Sequence, residues 1–140
     1  MPTRVFLDSN VFVFAFERPE SNSHRITALL VAGSFRGVVT DRVVREVMRY
    51  FRRHYGKDLA GKFRDLVLLT CDMVLEEDLR IDREALSQVG EKDAGTLAAT
   101  RSLGISRLVS TDSDFETVPE HRTPAEFLRE RGERPRPGDE

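Results

Sequence analysis

The chain has 140 residues, with 22 basic and 24 acidic side chains, and its formal charge is −2 at pH 7. This length fits one domain with a substantial core, and the near-neutral charge excludes a protein that coats nucleic acid with its whole surface. One cysteine, Cys71, excludes an internal disulfide, and three isolated histidines disfavour a zinc site. The sequence shows no signal peptide and no apolar run of membrane-spanning length, which predicts a cytoplasmic domain without membrane contact.

The first half of the chain alternates predicted strands and helices. The apolar run at residues 5–14 looks like a buried strand, and residues 4–7 are assigned to it. A helix follows over 24–32. Val38 and Val39 then predict a short strand that leads into a helix over 41–54, whose apolar side chains recur at helical spacing. A further helix is predicted over 59–69.

The second half continues this alternation. Residues 75–89 are acidic and predict one or two short helical turns. A helix of small residues is expected over 93–103, and a strand over 107–110. A capping box at Thr123 opens a last helix. The segment 132–140 is charged and rich in proline and glycine, which predicts a disordered tail.

Strands that alternate with helices predict an α/β sandwich, in which helices flank a mainly parallel sheet within one domain over residues 1–131. Ligands of such sheets bind beyond the carboxyl ends of the strands. Acidic residues stand at predicted strand ends or in the first turns of predicted helices, and these are Asp8, Glu46, Asp93, Asp112 and Asp114. A parallel topology therefore places them along one edge.

Each of these acids also has an ordinary structural explanation. Asp8 could end its strand with an Asx turn, and Asp112 could be a loop residue. Glu46 has Arg42 four residues before it, which favours a surface ion pair. Asp93 suits the positive end of a helix dipole. These explanations do not account for the location that the acids share, so we interpret the acids as one site.

A carboxylate cluster needs a cation, because like charges raise one another's pKa. Oxygen ligands without histidine or thiolate favour Mg²⁺ or Mn²⁺. Such an ion can generate a hydroxide nucleophile and stabilise charge on a phosphodiester. The acids therefore predict a divalent metal site suited to phosphodiester hydrolysis.

Four segments of the sequence resemble the PIN-domain nucleases: V-F-L-D-S-N-V-F, R-V-V-R-E-V-M-R-Y-F, K-D-A-G-T-L-A-A-T and L-V-S-T-D-S-D-F. The resemblance covers about residues 4–130. It implies a three-layer sandwich with strand order 3-2-1-4-5 and hydrolysis of single-stranded RNA with Mg²⁺ or Mn²⁺. It assigns catalysis and metal binding to Asp8, Glu46, Asp93 and Asp112, a further ligand to Asp114, and supporting roles to Asn10 and Thr111.

Many small PIN proteins are VapC-type toxins, which are neutralised by an antitoxin and usually form homodimers, and the chain resembles that size class. The resemblance therefore implies an antitoxin protein and a second copy of the chain as partners. The stretch 86–92 is shorter and less regular than the corresponding toxin helix. Two alternatives stay open: an RNA-processing PIN protein without an antitoxin, and a non-catalytic RNA-binding scaffold.

The segment 42–64 carries eight basic residues against two acidic ones. Phosphate contacts position a nucleic acid without reading its sequence. The predicted helix of Glu46 thus carries candidate RNA-guiding side chains, the arginine stripe, which comprises Arg45, Arg49, Arg52 and Arg53. The alternative is a solvated helix face with no specific role.

Overall fold

The computed structural model describes residues 3–80 and 83–139, apart from the side chains of 83–85 and 91–92. The strands are β1 (Arg4–Leu7), β2 (Arg36–Thr40), β3 (Cys71–Val74), β4 (Leu108–Val109) and β5 (His121–Arg122). The helices are α1 (Ser9–Glu17), α2 (Asn22–Val31), α3 (Asp41–Tyr55), α4 (Lys57–Thr70), α5 (Arg83–Ser102) and α6 (Pro124–Glu130). Single 3₁₀ turns lie at Glu76–Asp78 and Ser113–Phe115. None of the described helices is long and apolar enough to cross a membrane.

The five strands form one parallel sheet in the order β3-β2-β1-β4-β5. The predicted strand order is confirmed. Strand β1 lies at the centre, where Phe6 is opposite Val38 of β2 and Leu108 of β4. The two parallel neighbours of β1 therefore end at the same edge as β1 itself.

Both faces of the sheet are covered by helices, as the predicted α/β sandwich requires. Successive residues of a strand point to opposite faces, yet Val5, Phe6 and Leu7 of β1 are all 0% exposed. Val38 and Val39 of β2 are equally buried. Such continuous apolar burial is typical of parallel sheets between two helical layers.

Helix α1 was not predicted from the sequence. The apolar run that looked like one strand divides at Asp8, whose side chain accepts a hydrogen bond from the Ser9 amide and caps the helix. Phe12 then points inward, whereas Phe16 is 44% exposed and contacts the rings of Phe51 and Tyr55. The alternating phenylalanines resemble a strand pattern, but they occupy successive faces of a helix.

Other element boundaries differ from the prediction for local reasons. Helix α2 begins at Asn22, because Ser21 accepts from the His24 amide and acts as the N-cap. Helix α5 consists of two helical segments that meet at Gly90, where φ is +79°, so helical turns precede this break and the predicted helix of small residues follows it. The predicted order includes β3 and β5, but their residues were not located from the sequence, and both strands lie at the edges of the sheet.

The C-terminal segment contacts the start of α2. Asn22 is fully buried, and its Nδ2 donates to the carbonyls of Arg136 and Asp139, at 3.3 and 3.2 Å. Its Oδ1 accepts from the Arg136 amide at 2.7 Å, and its own amide donates to Asp139 Oδ2 at 2.6 Å. Arg25 of α2 adds an ion pair with Glu133.

Candidate functional site

The carboxyl ends of three adjacent strands carry polar residues along one edge, here called the acid edge. Asp8 follows β1 directly, and Ser110 follows β4. On the other side of β1, Thr40 ends β2 and caps α3 by accepting from the Val43 amide, at 3.2 Å. The cap starts α3 directly after the strand, so Glu46 lies in the second turn of that helix.

Both oxygens of the Asp8 carboxylate accept hydrogen bonds that fix its orientation. Oδ1 accepts from the Ser9 amide at 2.8 Å. Oδ2 accepts from Ser110 Oγ at 2.8 Å and from Asn10 Nδ2 at 3.3 Å. Asp8 is only 7% exposed. The residue is therefore both the N-cap of α1 and a held, buried carboxylate at the acid edge.

The charged form of Asp8 is costly in this environment. Burial raises the pKa of the Asp8 carboxyl above its usual value, and the bonds from Ser110 and Ser9 only partly oppose that shift. The negative charges of Glu46 and Asp112 raise the pKa further. No described arginine or lysine forms an ion pair with Asp8. A cation at this edge would relieve both effects.

Ser110 links Asp8 and Asp112 by hydrogen bonds. It was not predicted from the sequence as a site residue. It is fully buried, and its hydroxyl donates to Asp8 and accepts from the Asp112 amide, at 3.0 Å, and from Asn10 Nδ2, at 3.1 Å. Asn10 also accepts from the Thr111 amide at 3.0 Å. A serine between a buried strand and an aspartate is a weak signal on its own, because serine is common in such turns.

Three aspartates converge although about twenty residues of chain separate the first from the others. Asp93, Asp112 and Asp114 each place one carboxylate oxygen within 4.8 Å of the other two. Asp93 is buried on α5, Asp112 is partly buried, and Asp114 is exposed. Asp112 caps the second 3₁₀ turn by accepting from the Asp114 amide at 2.9 Å, which fixes the spacing of that pair.

Glu46 lies outside this group of three and contacts an arginine. Its Oε1 atom is 3.5 Å from Arg42 Nη1, and its side chain is 39% exposed. The i,i+4 ion pair that was the ordinary explanation for Glu46 is therefore present. Glu46 is nevertheless close enough to raise the pKa of Asp8, so one side chain takes part in the ion pair and in the acid edge.

The donor set fits a hard divalent cation. The group contains carboxylate oxygens and neither histidine nor cysteine, and such donors select Mg²⁺, Mn²⁺ or Ca²⁺. Oxygen ligands around Mg²⁺ lie about 3 to 4 Å apart, given metal–oxygen distances of about 2.1 Å. One oxygen from each of the three aspartates lies within 4.8 Å of the other two, close to that spacing.

The arginine stripe lies on the surface of α3, with all four side chains exposed. Arg45 forms an ion pair with Asp41 at 3.0 Å. Arg49 and Arg53 follow Glu46 by three and seven residues, so they lie on the same side of the helix as Glu46. Arg49 and Arg53 therefore continue the side of α3 that carries Glu46, at increasing distance from the acid edge.

The sequence matches the family model of the PIN domain over residues 5–121. A comparison with curated proteins gives no significant match.

Solved structures share the fold. A toxin–antitoxin complex from Klebsiella pneumoniae superposes with a TM-score of 0.60 at 17% identity, over 86% of this chain and 97% of that one. VapBC2 from Rickettsia felis, bound to a DNA fragment from its promoter, gives 0.62 at 16% identity, over 86% and 98%. VapC20 from Mycobacterium tuberculosis, a toxin that cleaves the sarcin-ricin loop, gives 0.56 at 16% identity, over 81% and 93%.

Proposed function

The chain belongs to the PIN domain family, a family of nucleases, and on that premise we propose that it is a Mg²⁺- or Mn²⁺-dependent endoribonuclease of single-stranded RNA. The observation that carries the proposal is the convergence of Asp93, Asp112 and Asp114 within 4.8 Å. No described basic side chain forms an ion pair with Asp112 or Asp114. A cluster of this kind is the expected ligand set of a catalytic divalent ion.

The residues of the acid edge take different roles in this proposal. Asp93, Asp112 and Asp114 form the group that converges on the ion, and Asp8 and Glu46 supply further carboxylate ligands at the same edge. The ion, when bound, supplies activation of the attacking water and stabilisation of charge on the phosphodiester.

Three residues support the acids through hydrogen bonds and have no assigned contact with RNA: Asn10, Ser110 and Thr111. Ser110 Oγ donates to Asp8 at 2.8 Å and fixes the direction of that carboxylate. Asn10 links Asp8 to the Thr111 amide, so the segment after β4 keeps a fixed distance from the segment after β1. Ligand orientation by such supporting hydrogen bonds commonly changes metal affinity or activity about 10- to 100-fold.

Cleavage of a labelled single-stranded RNA by the full chain tests the proposal. We expect cleavage with Mn²⁺ or Mg²⁺ and none with EDTA, and we expect Asp112→Asn to abolish it. Asp65→Asn is a matched control, since Asp65 is an exposed carboxylate on α4 and pairs only with its neighbour Arg64 in the described structure. A wild-type protein that cuts equally well in EDTA would contradict the metal-dependent mechanism.

We propose that the protein acts as the toxin of a toxin–antitoxin pair in the cytoplasm. Support comes from the fold that it shares with toxins of such pairs. An apolar groove of about 410 Å³ between α1, α2, α3 and α4, lined among others by Phe12, Phe16, Phe51 and Phe63, offers a surface for a protein partner. The test is co-purification with the product of a neighbouring small gene, followed by inhibition of RNA cleavage.

A homodimer is the proposed assembly. Leu68 and Leu69 on α4 are 68% and 78% exposed, and Met73 on the edge strand β3 is 51% exposed. Large exposed apolar side chains that lie close in sequence favour a protein contact. Sedimentation of the wild type and of Leu68→Ser/Leu69→Ser checks this assembly, since a dimer through this surface should dissociate in the variant.

The RNA-processing protein without an antitoxin and the non-catalytic scaffold are the competing proposals. The first predicts metal-dependent cleavage with no inhibitor among neighbouring gene products. The second predicts RNA binding that does not change when Asp112 is replaced by asparagine, together with no cleavage in Mn²⁺. The same cleavage and binding measurements therefore separate the three.

A further inference from the structure

Arg42 lies where three elements next to the acid edge meet. It belongs to the first turn of α3, and its side chain is 24% exposed. Its Nε donates to Glu76 Oε1 at 3.1 Å, and its Nη2 donates to Thr96 Oγ1 at 3.3 Å. Its Nη1 lies 3.5 Å from Glu46 Oε1. One guanidinium therefore contacts the helix of Glu46, the helix of Asp93 and the first 3₁₀ turn.

Glu76 and Glu46 share this guanidinium unequally. The contact with Glu76 is the shorter of the two and has hydrogen-bond geometry, at 3.1 Å. The contact with Glu46 is an ion pair at 3.5 Å. The guanidinium of Arg42 therefore lies closer to the carboxylate of Glu76 than to that of Glu46.

The position of Glu76 is set by α3 on one side and α5 on the other. Its amide donates to Asp41 Oδ1 at 2.9 Å, which fixes the backbone of the turn. Its carboxylate packs against Gly95 of α5 so closely that a Cβ at that position would overlap it. Glycine at position 95 therefore permits the contact between Glu76 and Arg42.

We propose that Arg42 is a positioning residue that competes with a divalent cation for Glu46, and that Glu76 and Gly95 set the strength of that competition. This inference rests on the proposed function, because it concerns how the acid edge admits its cation. A guanidinium and a metal ion both stabilise ionised Glu46, but two positive charges at contact distance repel each other. Glu46 leaves Arg42 when the cation binds, and Glu76 then keeps the buried part of the guanidinium paired.

Calorimetric titration of the full chain with Mn²⁺, in the absence of RNA, measures this competition. We expect Arg42→Gln to bind Mn²⁺ about three- to fivefold more tightly, the range given by a partly exposed ion pair. We expect Glu76→Gln to bind about two- to threefold more weakly, since its loss turns Arg42 towards Glu46. The matched controls Arg36→Gln and Asp72→Asn break a 2.9 Å ion pair at the opposite ends of the strands and should leave the affinity unchanged.

Gly95→Ala separates positioning from the general effect of charge. Loss of any nearby positive charge would tighten cation binding, but this variant changes no charge and only displaces the carboxylate of Glu76. We expect it to weaken Mn²⁺ binding as Glu76→Gln does. Alanine is a better helix former than glycine, so the fold is retained. In an Arg42→Gln background, both substitutions should lose their effect, because they act through Arg42.

The outcomes distinguish this inference from the function on which it rests. A wild-type chain that binds no Mn²⁺ would refute the metal-dependent nuclease itself. Wild-type binding combined with an unchanged affinity in Gly95→Ala, or with additive effects in the Arg42→Gln/Glu76→Gln double variant, would overturn only the role of Arg42. Weaker binding in Arg42→Gln would also overturn it, since that result means that the arginine organises the site without competing for Glu46.

Discussion

Two groups of carboxylates in this fold meet opposite electrostatic conditions. Glu130 on α6 accepts from Arg107 Nε at 2.9 Å and from Arg122 Nε at 3.0 Å. The hydrogen bond from Arg107, and to a smaller extent the one from Arg122, lowers the pKa of the Glu130 carboxyl. At the acid edge, burial raises the pKa of Asp8, and the charges of Glu46 and Asp112 add to that shift.

The difference separates a carboxylate that is paired with arginines from carboxylates that form no ion pair with the described residues. Glu130 is more stable charged within the folded protein than in water, so it needs no external partner. Asp8 is less stable charged, and the neighbouring aspartates Asp112 and Asp114 form no ion pair with a described basic residue. The described residues therefore balance the charge of Glu130 by ion pairs, whereas they provide no ion pair for Asp8, Asp112 or Asp114.

The largest effect is expected for Asp8→Asn. The variant keeps the shape of the side chain and its cap on Ser9, but it removes one charge from the acid edge. Its new Nδ2 also faces the donor Nδ2 of Asn10. RNA cleavage in Mn²⁺ should fall by at least about a hundredfold, the scale typical of a lost metal-site group.

Cleavage rates of wild type and variant at equal concentration measure this loss, with thermal unfolding as the control for folding. The metal-free melting temperature should change by only a few degrees, because relief of carboxylate repulsion offsets the poorer hydrogen bonding. A folded Asp8→Asn protein that cuts at the wild-type rate would contradict the proposed role of Asp8 in the metal site.

The next effect is stabilisation of the wild type by Mn²⁺ or Mg²⁺. A ligand that binds only the folded state stabilises it by about 2.7 kcal/mol at a concentration one hundred times Kd. Thermal unfolding at increasing Mn²⁺ should therefore show a rising melting temperature. Asp112→Asn should reduce the rise strongly, whereas Glu130→Gln should leave it intact. Equal reduction by both variants would mean that the effect is not specific to the acid edge.

A smaller effect is expected for the arginine stripe. Replacing Arg49 and Arg53 with alanine should weaken RNA binding and reduce the slope of log affinity against log salt by about 1 to 2, since fewer counterions are released. Mn²⁺ affinity should stay near that of the wild type. Fluorescence anisotropy at several salt concentrations gives the slope. An unchanged slope would mean that both arginines belong to a solvated helix face with no role in RNA binding.

The smallest effect concerns Glu130 and its dependence on pH. Because the pKa of Glu130 is lowered in the folded state, its charged form adds stability at neutral pH, and that stability is lost as pH falls through the folded-state pKa. Glu130→Gln should cost less than about 1 kcal/mol at pH 7, since the side chain is partly exposed. Urea unfolding at a series of pH values should give stabilities for the two proteins that converge once the pH lies below the lowered pKa of folded Glu130. A difference that is constant with pH would show that the ion pairs contribute nothing.

The resemblance to the PIN-domain nucleases predicted the strand order, whereas local sequence signals predicted that most of the acids lie at one edge of the sheet. Residues 4–7 and 107–110 are short apolar runs, and acids follow both runs. The carboxyl ends of neighbouring parallel strands meet at one edge, so the sequence predicts that Asp8 and Asp112 lie close together. The ligand roles of Asp8, Glu46, Asp93, Asp112 and Asp114 remain predictions until metal binding is measured.

The features that were not predicted depend on contacts between distant segments. Helix α1 was missed because Phe12, Phe14 and Phe16 alternate with period two, which is not a helical spacing, and the helix begins only at the cap formed by Asp8. Ser110 was missed because its importance comes from a partner 102 residues away. Strand β5 has two residues, fewer than a periodic pattern needs.

The contact between Asn22 and the C-terminal segment has a consequence for the order of folding. Its hydrogen bonds join residues 114 to 117 positions apart. Contacts of such sequence separation form only after the intervening chain has been brought together, since closing a long loop costs entropy before any bond repays it. We therefore expect this contact to form late in folding, as we also expect for the pairing of β1 with β4, in which Phe6 lies opposite Leu108. We expect hydrogen exchange to show whether the contact opens separately from the core, in which case the amide protons of Arg136 and Asn22 exchange faster than those of β1.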